Sequence, residues 1–267
     1  MLTLLLTPRA TDETERMAAA AHGRGLLVVQ PATWALPALD ASRVLIYGGE
    51  LFVAFACQEL GLPLPIVDPS WLPSLPIELT RRRIEATNLG RVRGRAGPLF
   101  VKPVQEKTFA AAVYSSGAAL PALPDDEPVY VSEPVRFLRE YRCFLDRGTC
   151  RTGSLYAVDG RPVAVGAADA GFADAGFADA ARVAEAAWSA LPTLPEAVVI
   201  DVGLLAEWEF AEGELAEWEF AEGELAEGEL AVVEPNSIAE SALYGADPDV
   251  VLELIASLFG HDLGSGR

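Results

Sequence analysis

Two runs of apolar, mostly β-branched residues each end on an acid: Val198-Val199-Ile200-Asp201-Val202 and Ala231-Val232-Val233-Glu234-Pro235-Asn236. Residues of this type favour the pleated strand, so the acids are carried to strand ends. A carboxylate withdrawn from water is costly unless a cation or basic group neutralises it. Strands ending in Asp201, Glu234 and Asn236 side by side make an oxygen-rich site suited to a hard cation such as Mg2+. The alternative for the same pattern is a pair of strand-end acids open to water.

Alternating strands and helices are expected around these two runs. Leu2–Thr7 reads as a buried strand, and Thr11–His22 as a helix with an Asp12…Glu15 capping-box pattern stopped at Gly23. Leu26–Gln30 and Arg43–Tyr47 read as strands, and Glu50–Leu60 as a helix ended by Gly61. This βαβ-type start predicts a small parallel sheet over about residues 1–68, and the Pro-rich stretch PIVDPSWLPSLP marks a lobe boundary. Further on, the patterns predict a basic helix over Glu78–Asn88, a strand over Leu99–Pro103 and a helix over Phe109–Ser115. Strands at Val129–Ser132, Glu140–Leu145 and Ser154–Val158 and a helix at Ala180–Ala190 follow, before the two acid-bearing strands. The last helix is capped by Asp247, opened by Pro248 and ended by Gly260.

Composition removes several classes of function. A formal charge of −19 argues against nucleic acid as a partner, since phosphate binding needs clustered Lys and Arg. Ten of the 39 acids fall in Ala206–Leu230, which has no basic residue. That segment reads AEWEF-AEGEL-AEWEF-AEGEL-AEGEL, and a smaller repeat, AGFAD-AGFAD, spans Ala170–Asp179. Both are shorter and more uniform than solenoid repeats, so tandem duplication explains them better than a repeat architecture. The longest apolar stretch, near Leu51–Cys57, is far short of the roughly 20 residues of a membrane helix. No signal peptide is expected from the uncharged start MLTLLL. Three cysteines without a CxxC pair fit a reducing cytoplasm. With only His22 and His261, a zinc site or a Ser-His triad would rest on a single histidine.

Two further stretches carry chemistry. The chain has only two lysines, Lys102 at the end of the strand Phe100-Val101-Lys102-Pro103 and Lys107 just beyond. A lysine offers a compact charge for a phosphate oxygen, or it simply snorkels from a strand end. In Tyr130-Val131-Ser132-Glu133-Pro134-Val135, an extended backbone can pair with a purine edge, and Glu140, seven residues after Glu133, can accept from ribose hydroxyls. Glu and Arg flanking strands are as often solvated or paired with each other.

The order Lys102, Glu133…Glu140, Asp201 and Glu234-Pro235-Asn236 resembles the ATP-grasp superfamily, and among its members the small ATP-grasp domain proteins of bacteria and phages. The resemblance runs from about Leu99 to Phe259 and implies an α/β fold with α+β lobes. It makes residues 1–75 a Rossmann-like pre-ATP-grasp lobe and residues 76–267 the ATP-grasp domain, in subdomains 76–130 and 131–267 with the repeat insert 206–230 in the second. It also implies ATP and Mg2+ as cofactors. Lys102 and Lys107 would meet phosphates, Glu133 and Val135 would flank the adenine, Glu140 would hold the ribose, and Asp201, Glu234 and Asn236 would hold Mg2+. Arg142 would be a phosphate or acyl-phosphate partner. The activity implied is carboxylate–amine or carboxylate–thiol ligation on a small molecule or peptide, with phosphotransfer or nucleotide binding without turnover as the other readings. Two features depart from the pattern: Gln105-Glu106-Lys107-Thr108 stands where relatives carry a Gly/Ser-rich loop, and Asp201 and Glu234 are 33 residues apart.

Removing two ten-residue copies shortens that separation to the dozen or so residues of a tight hairpin. Excising 206–225 should therefore leave a folded protein, because each doubling of loop length costs only about 0.6 kcal/mol. Eight glutamates leave with the segment, taking the formal charge from −19 to −11. Size-exclusion chromatography and thermal melting of the deletion variant check this: a soluble monodisperse protein is expected, and aggregation would mean that Trp208, Phe210, Trp218 and Phe220 belong to a core.

Overall fold

The computed structural model describes residues 1–104, 108–163, 176–191, 194–206 and 228–263. Three sheets organise them. The first is parallel, in the order β2-β1-β3, built from Thr3–Leu6 (β1), Leu27–Val29 (β2) and Val44–Tyr47 (β3). Parallel neighbours need a crossover, which α1 (Asp12–Gly23) supplies between the first two strands. The N-cap of α1 is Thr11 rather than Asp12, and its box partner is Thr14 rather than Glu15. The Thr11 hydroxyl accepts from the Thr14 amide at 3.2 Å, and the Thr14 hydroxyl accepts from the Thr11 amide at 2.8 Å. Helix α2 (Glu50–Leu60) follows β3 and ends as expected at Gly61, whose φ of 65° suits a residue without a Cβ.

The second sheet is antiparallel, β4-β7-β5-β6, from Ile84–Asn88 (β4), Leu99–Pro103 (β5), Ala112–Tyr114 (β6) and Pro128–Ser132 (β7). Two expected helices are corrected here. The helix over 78–88 is a single turn, α4 (Ile77–Thr80), because Arg81 turns left-handed at φ 53° and β4 then pairs with β7 from Ile84↔Ser132 to Asn88↔Pro128. In place of the helix over 109–115, β6 pairs with β5 from Leu99↔Tyr114 to Val101↔Ala112. In both cases the vacant edge of a sheet outweighs a weak local helix preference. Two more one-turn helices, α3 (Trp71–Ser74) and α5 (Leu89–Val92), lie before β4 and before β5.

The third sheet, β10-β9-β8-β11-β12, comprises Phe137–Asp146 (β8), Thr149–Val158 (β9), Arg161–Pro162 (β10), Ala197–Leu205 (β11) and Leu230–Asn236 (β12). Arg147-Gly148 and Asp159-Gly160 link β8 to β9 and β9 to β10 with positive φ at both residues, the two-residue hairpin turn that matches strand twist. Asp201 lies opposite Arg142 on β8 and opposite Glu234 on β12. The mouth of the β11–β12 hairpin is closed by Leu204↔Leu230 pairing and by the Leu205 amide donating to the Glu229 carbonyl at 2.9 Å. Of the acidic insert, only Ala206 and Gly228–Leu230 lie within the described residues; Lys107 and most of the AGFAD repeat lie outside them.

Helices separate the sheets into layers. On one face of the parallel sheet, Leu5, Val44 and Ile46 pack with Phe52, Val53 and Ala56 of α2. On the other, Leu4, Leu6 and Leu45 share a core with Met17 of α1, with Val251, Leu252 and Ile255 of α7 (Pro248–Leu258), and with Phe144 and Val199 of the five-stranded sheet. The far face of that sheet, through Cys143, Leu145, Val198 and Ile200, is covered by Ala180, Ala184 and Ala187 of α6 (Phe177–Ala190) and by Trp71. The four-stranded sheet keeps a smaller core with Leu89 and Val92 of α5. Cys57, Cys143 and Cys150 are all free thiols.

The turn after β12, Ile238–Glu240, docks on the parallel sheet through the Gly48 amide, which donates to the Ala239 carbonyl at 3.0 Å. Burial there, with Glu50 close by, pushes the Glu240 carboxyl up to about 7. The folded state thus holds this proton where the unfolded chain releases it, so the stability tied to Glu240 is full below about pH 4.5 and lost as pH rises through 7. Glu240→Gln should raise stability at pH 8 by about 1–2 kcal/mol and leave it unchanged at pH 4.5, as measured by urea unfolding at both pH values.

Candidate active site

Polar groups from the three strands β8, β11 and β12 converge on one pair, and Asp201 lies in the middle of β11 rather than at the strand end expected, because pairing with β8 and β12 carries the strand on to Leu205. Asp201 has no solvent exposure, and Arg142 on the next strand is only 9% exposed. The guanidinium grips the carboxylate with two bonds, Nε to Oδ1 at 2.9 Å and Nη2 to Oδ2 at 2.8 Å. Such a planar fork is the strongest common form of ion pair. Arg142 Nη1 also donates to the Ala242 carbonyl at 3.3 Å, and Asn236 Nδ2 donates to Asp201 Oδ2 at 3.2 Å. Burial raises the pKa of the Asp201 carboxyl despite the pull of Arg142. Burial also opposes the charge on Arg142, but Asp201 outweighs it and leaves the guanidinium pKa raised. The directions disagree for one pair; the two short bonds are those of a carboxylate holding a guanidinium, so the pair is ionised.

Aromatic rings close the other side. Arg142 Cζ lies 5.0 Å from the Tyr156 ring and 5.4 Å from the Tyr244 ring, and these rings stack on each other at 5.2 Å. The Tyr156 hydroxyl donates to Glu140 Oε2 at 2.8 Å. Burial raises the Glu140 carboxyl pKa against that bond.

Lys102 approaches from the four-stranded sheet. Its ammonium pairs with Glu234 Oε2, so the two antiparallel sheets meet at this contact. The side chains keep 22% and 28% of their exposure, so the pair is reached by solvent. Burial raises the Glu234 pKa, but Lys102 overrides it and holds the carboxyl below its ordinary value. Lys102 Nζ also lies 5.7 Å from the Tyr130 ring. Glu133 and Val135 fall in the 133–136 connection between β7 and β8, where Glu133 Oε2 accepts from the Arg83 amide at 2.9 Å.

The fold thus assembles Lys102, Glu140, Arg142, Asp201, Glu234 and Asn236, and puts Glu133 and Val135 on the link between the two sheets. Sequence reasoning missed Tyr156, Tyr244 and Arg82. Arg82 is 7% exposed, donates to the Val232 and Val233 carbonyls just before Glu234 at 3.0 and 3.3 Å, and lies 5.4 Å from the Phe137 ring. Burial lowers its pKa to about 10. The Arg81-Arg82-Arg83 run gave no sign of which arginine turns inward. A cavity of about 570 Å3 lies beside this linker, lined by Arg82, Arg83, Glu85, Glu133 and apolar residues. None of the six converging side chains lines it, so this cavity is not the place where they meet.

A hard divalent cation fits the donor set. Glu234 offers a carboxylate and Asn236 an amide oxygen, since its nitrogen is turned to Asp201. A carboxylate has about four lone-pair positions; Arg142 takes two of those on Asp201 and Asn236 a third. Among the described residues no three of His, Cys, Asp and Glu form a metal-holding group. A cation here would be held by two acids and an amide.

Removing one member of a buried pair strands the other charge. Asp201→Asn should therefore destabilise the fold by roughly 3–5 kcal/mol, and Arg142→Met with Asp201→Leu should recover most of that loss. Lys102→Met, which breaks a partly exposed pair, should cost less than about 1 kcal/mol. Urea unfolding of the four proteins measures the contrast.

A family model of the ATP-grasp domain, describing the second family of one clade within the superfamily, matches residues 79–254. No curated protein matches the chain. Among solved structures, the RimK domain protein ATP-grasp from Sphaerobacter thermophilus is 16% identical, with a TM-score of 0.51 over 97% of this chain and 99% of that one. Rhizobium etli pyruvate carboxylase is 12% identical, with a TM-score of 0.53 over 99% of this chain but 30% of that one. At these identities the structures speak to the fold alone, and that fold is the one the antiparallel sheets and their facing residues build. The chain belongs to the ATP-grasp superfamily, within the clade family whose model spans both antiparallel sheets.

Proposed function

We propose that the protein binds Mg-ATP between its two antiparallel sheets and uses it to join a carboxylate to an amine or a thiol. The observation that carries this reading is the meeting of Lys102 with Glu234 between the two antiparallel sheets, beside the Arg142–Asp201–Asn236 cluster. Without a ligand the two charges neutralise each other. With ATP present, Lys102 turns to the phosphate oxygens and frees Glu234 for the cation. Glu133 and Val135 flank the base, Glu140 holds the ribose, and Lys107 belongs to the same phosphate contact. Residues 1–75 serve as the pre-ATP-grasp lobe and 76–267 as the ATP-grasp domain.

The chemistry follows from charge placement. A substrate carboxylate oxygen attacks the γ-phosphorus, the bond to the bridging oxygen breaks, and ADP leaves. The acyl phosphate left behind is attacked at carbon by the amine or thiol; phosphate departs and the nucleophile gives up its proton. Lys102 spreads the negative charge that builds on the phosphoryl oxygens. Mg2+ held by Asp201, Glu234 and Asn236 would neutralise phosphate charge and orient the group for in-line transfer. Positioning and electrostatics suffice, so no histidine or cysteine nucleophile is needed.

Mg-ATP at 100 times its dissociation constant should stabilise the protein by about 2.7 kcal/mol, visible as a rise in melting temperature that Lys102→Ala abolishes. A screen of amino acids and short peptides for stimulated ADP release should then reveal the carboxylate and its acceptor. Binding without turnover on any of them would favour a nucleotide-binding module. No shift with ATP, ADP or a non-hydrolysable analogue would remove the reading altogether.

A further inference from the structure

We infer that Tyr244 is a positioning residue for the Arg142–Asp201 pair, and that α1 of the N-terminal lobe holds it in place. This rests on the Mg-ATP reading above, but not on the identity of the substrate. Tyr244 has φ of 49°, a left-handed conformation that is strained for a residue with a Cβ and persists only where its surroundings hold it. Its backbone is gripped on both sides by α1: its amide donates to Glu13 Oε1 at 3.2 Å, and its carbonyl accepts from Arg16 Nη1 at 2.6 Å. Arg16 Nη2 also donates to the Ala246 carbonyl at 2.9 Å. Flanking anchors come from Tyr47, whose hydroxyl donates to the Ser241 carbonyl at 3.1 Å, and from Thr152, whose hydroxyl accepts from the Asp247 amide at 3.0 Å.

These contacts fix the backbone from which the Tyr244 ring projects. It stacks on Tyr156 and, with it, faces the Arg142 guanidinium, while the carbonyl of Ala242 in the same loop accepts from Nη1. Arg142 is therefore fixed by Asp201 on one edge and by the 241–247 loop on its ring side. A guanidinium beside an aromatic ring is stabilised more strongly as water is excluded, and Arg142 is nearly buried. The Tyr244 hydroxyl makes no hydrogen bond among the described residues, so the ring, not the oxygen, carries the effect. Without the ring Arg142 gains room to tilt, and with it the Asp201 carboxylate, which supplies one donor of the cation site beside Glu234 and Asn236. The N-terminal lobe thereby sets the geometry of the metal end of the cleft without touching it.

Two readouts test this. In the ligand-free protein, hydrogen exchange of the Arg142 Nε–H should be slow in wild type and Tyr244→Phe, and about tenfold or more faster in Tyr244→Ala and in Arg16→Met. Calorimetry should find the ATP affinity of Tyr244→Ala reduced about tenfold with Mg2+ and unchanged within about twofold in EDTA, the size expected when a group that orients a metal ligand from outside is removed. Tyr244→Phe should bind as wild type does, and Tyr244→Leu, which keeps bulk without a π face, should fall between. Equal losses with and without Mg2+ would reduce Tyr244 to a structural residue and overturn the inference, as would unchanged Nε–H exchange in Tyr244→Ala. If wild type binds no ATP, the functional reading fails, and the exchange experiment still decides the role of Tyr244.

Discussion

A buried ion pair sits at the centre of this protein. Arg142 and Asp201 face each other on adjacent strands of the five-stranded sheet, and desolvating two such charges costs several kcal/mol each before their attraction repays it. The surroundings are arranged to make that repayment possible. The fork is bidentate, the third guanidinium edge meets a carbonyl, Asn236 takes part of the remaining carboxylate capacity, and two tyrosine rings cover the cation. A hydrophobic pair in the same place would contribute as much stability at less risk. What it would lack is an acid held in a fixed orientation beside Glu234.

The two ion pairs at the cleft divide the labour. Arg142–Asp201 is dry and belongs to one sheet; Lys102–Glu234 is partly exposed and joins two sheets. Partly exposed pairs are weak, so this one is far easier to open than the buried pair. Arg82 reinforces the seam from below, since its guanidinium holds the carbonyls immediately before Glu234 and so fixes the strand while leaving the carboxylate to Lys102. The two antiparallel sheets are thus joined by this ion pair and by the 133–136 connection.

Much of the site was legible because its acids follow apolar, β-branched runs, although Asp201 lies within β11 rather than at its end. Val198–Val202 and Ala231–Asn236 could hardly be anything but neighbouring strands, and the isolation of Lys102 in an arginine-rich chain singled it out. The resemblance then ordered these residues along one fold. The errors share a cause: residues 78–88 and 109–115 carry helix-compatible residues, yet each lies beside a sheet edge with unpaired backbone groups. An edge strand's hydrogen bonds are a property of the neighbour, and a window of local sequence does not contain the neighbour.

The sequence by itself determined the parallel start, the capped C-terminal helix, the acid-bearing strands and the set of charged groups that converge between them. Those follow from periodicity, capping chemistry and the cost of burying charge, all of which act within a few residues. Only the tertiary structure decided which charge meets which. Arg142 proved to be paired with Asp201, Arg82 rather than Arg81 or Arg83 turned inward, and the rings of Tyr156 and Tyr244 came to lie against the Arg142 guanidinium. Pairing of this kind joins residues 59 to 228 positions apart, and it is fixed by strand register and helix packing, which no local pattern encodes.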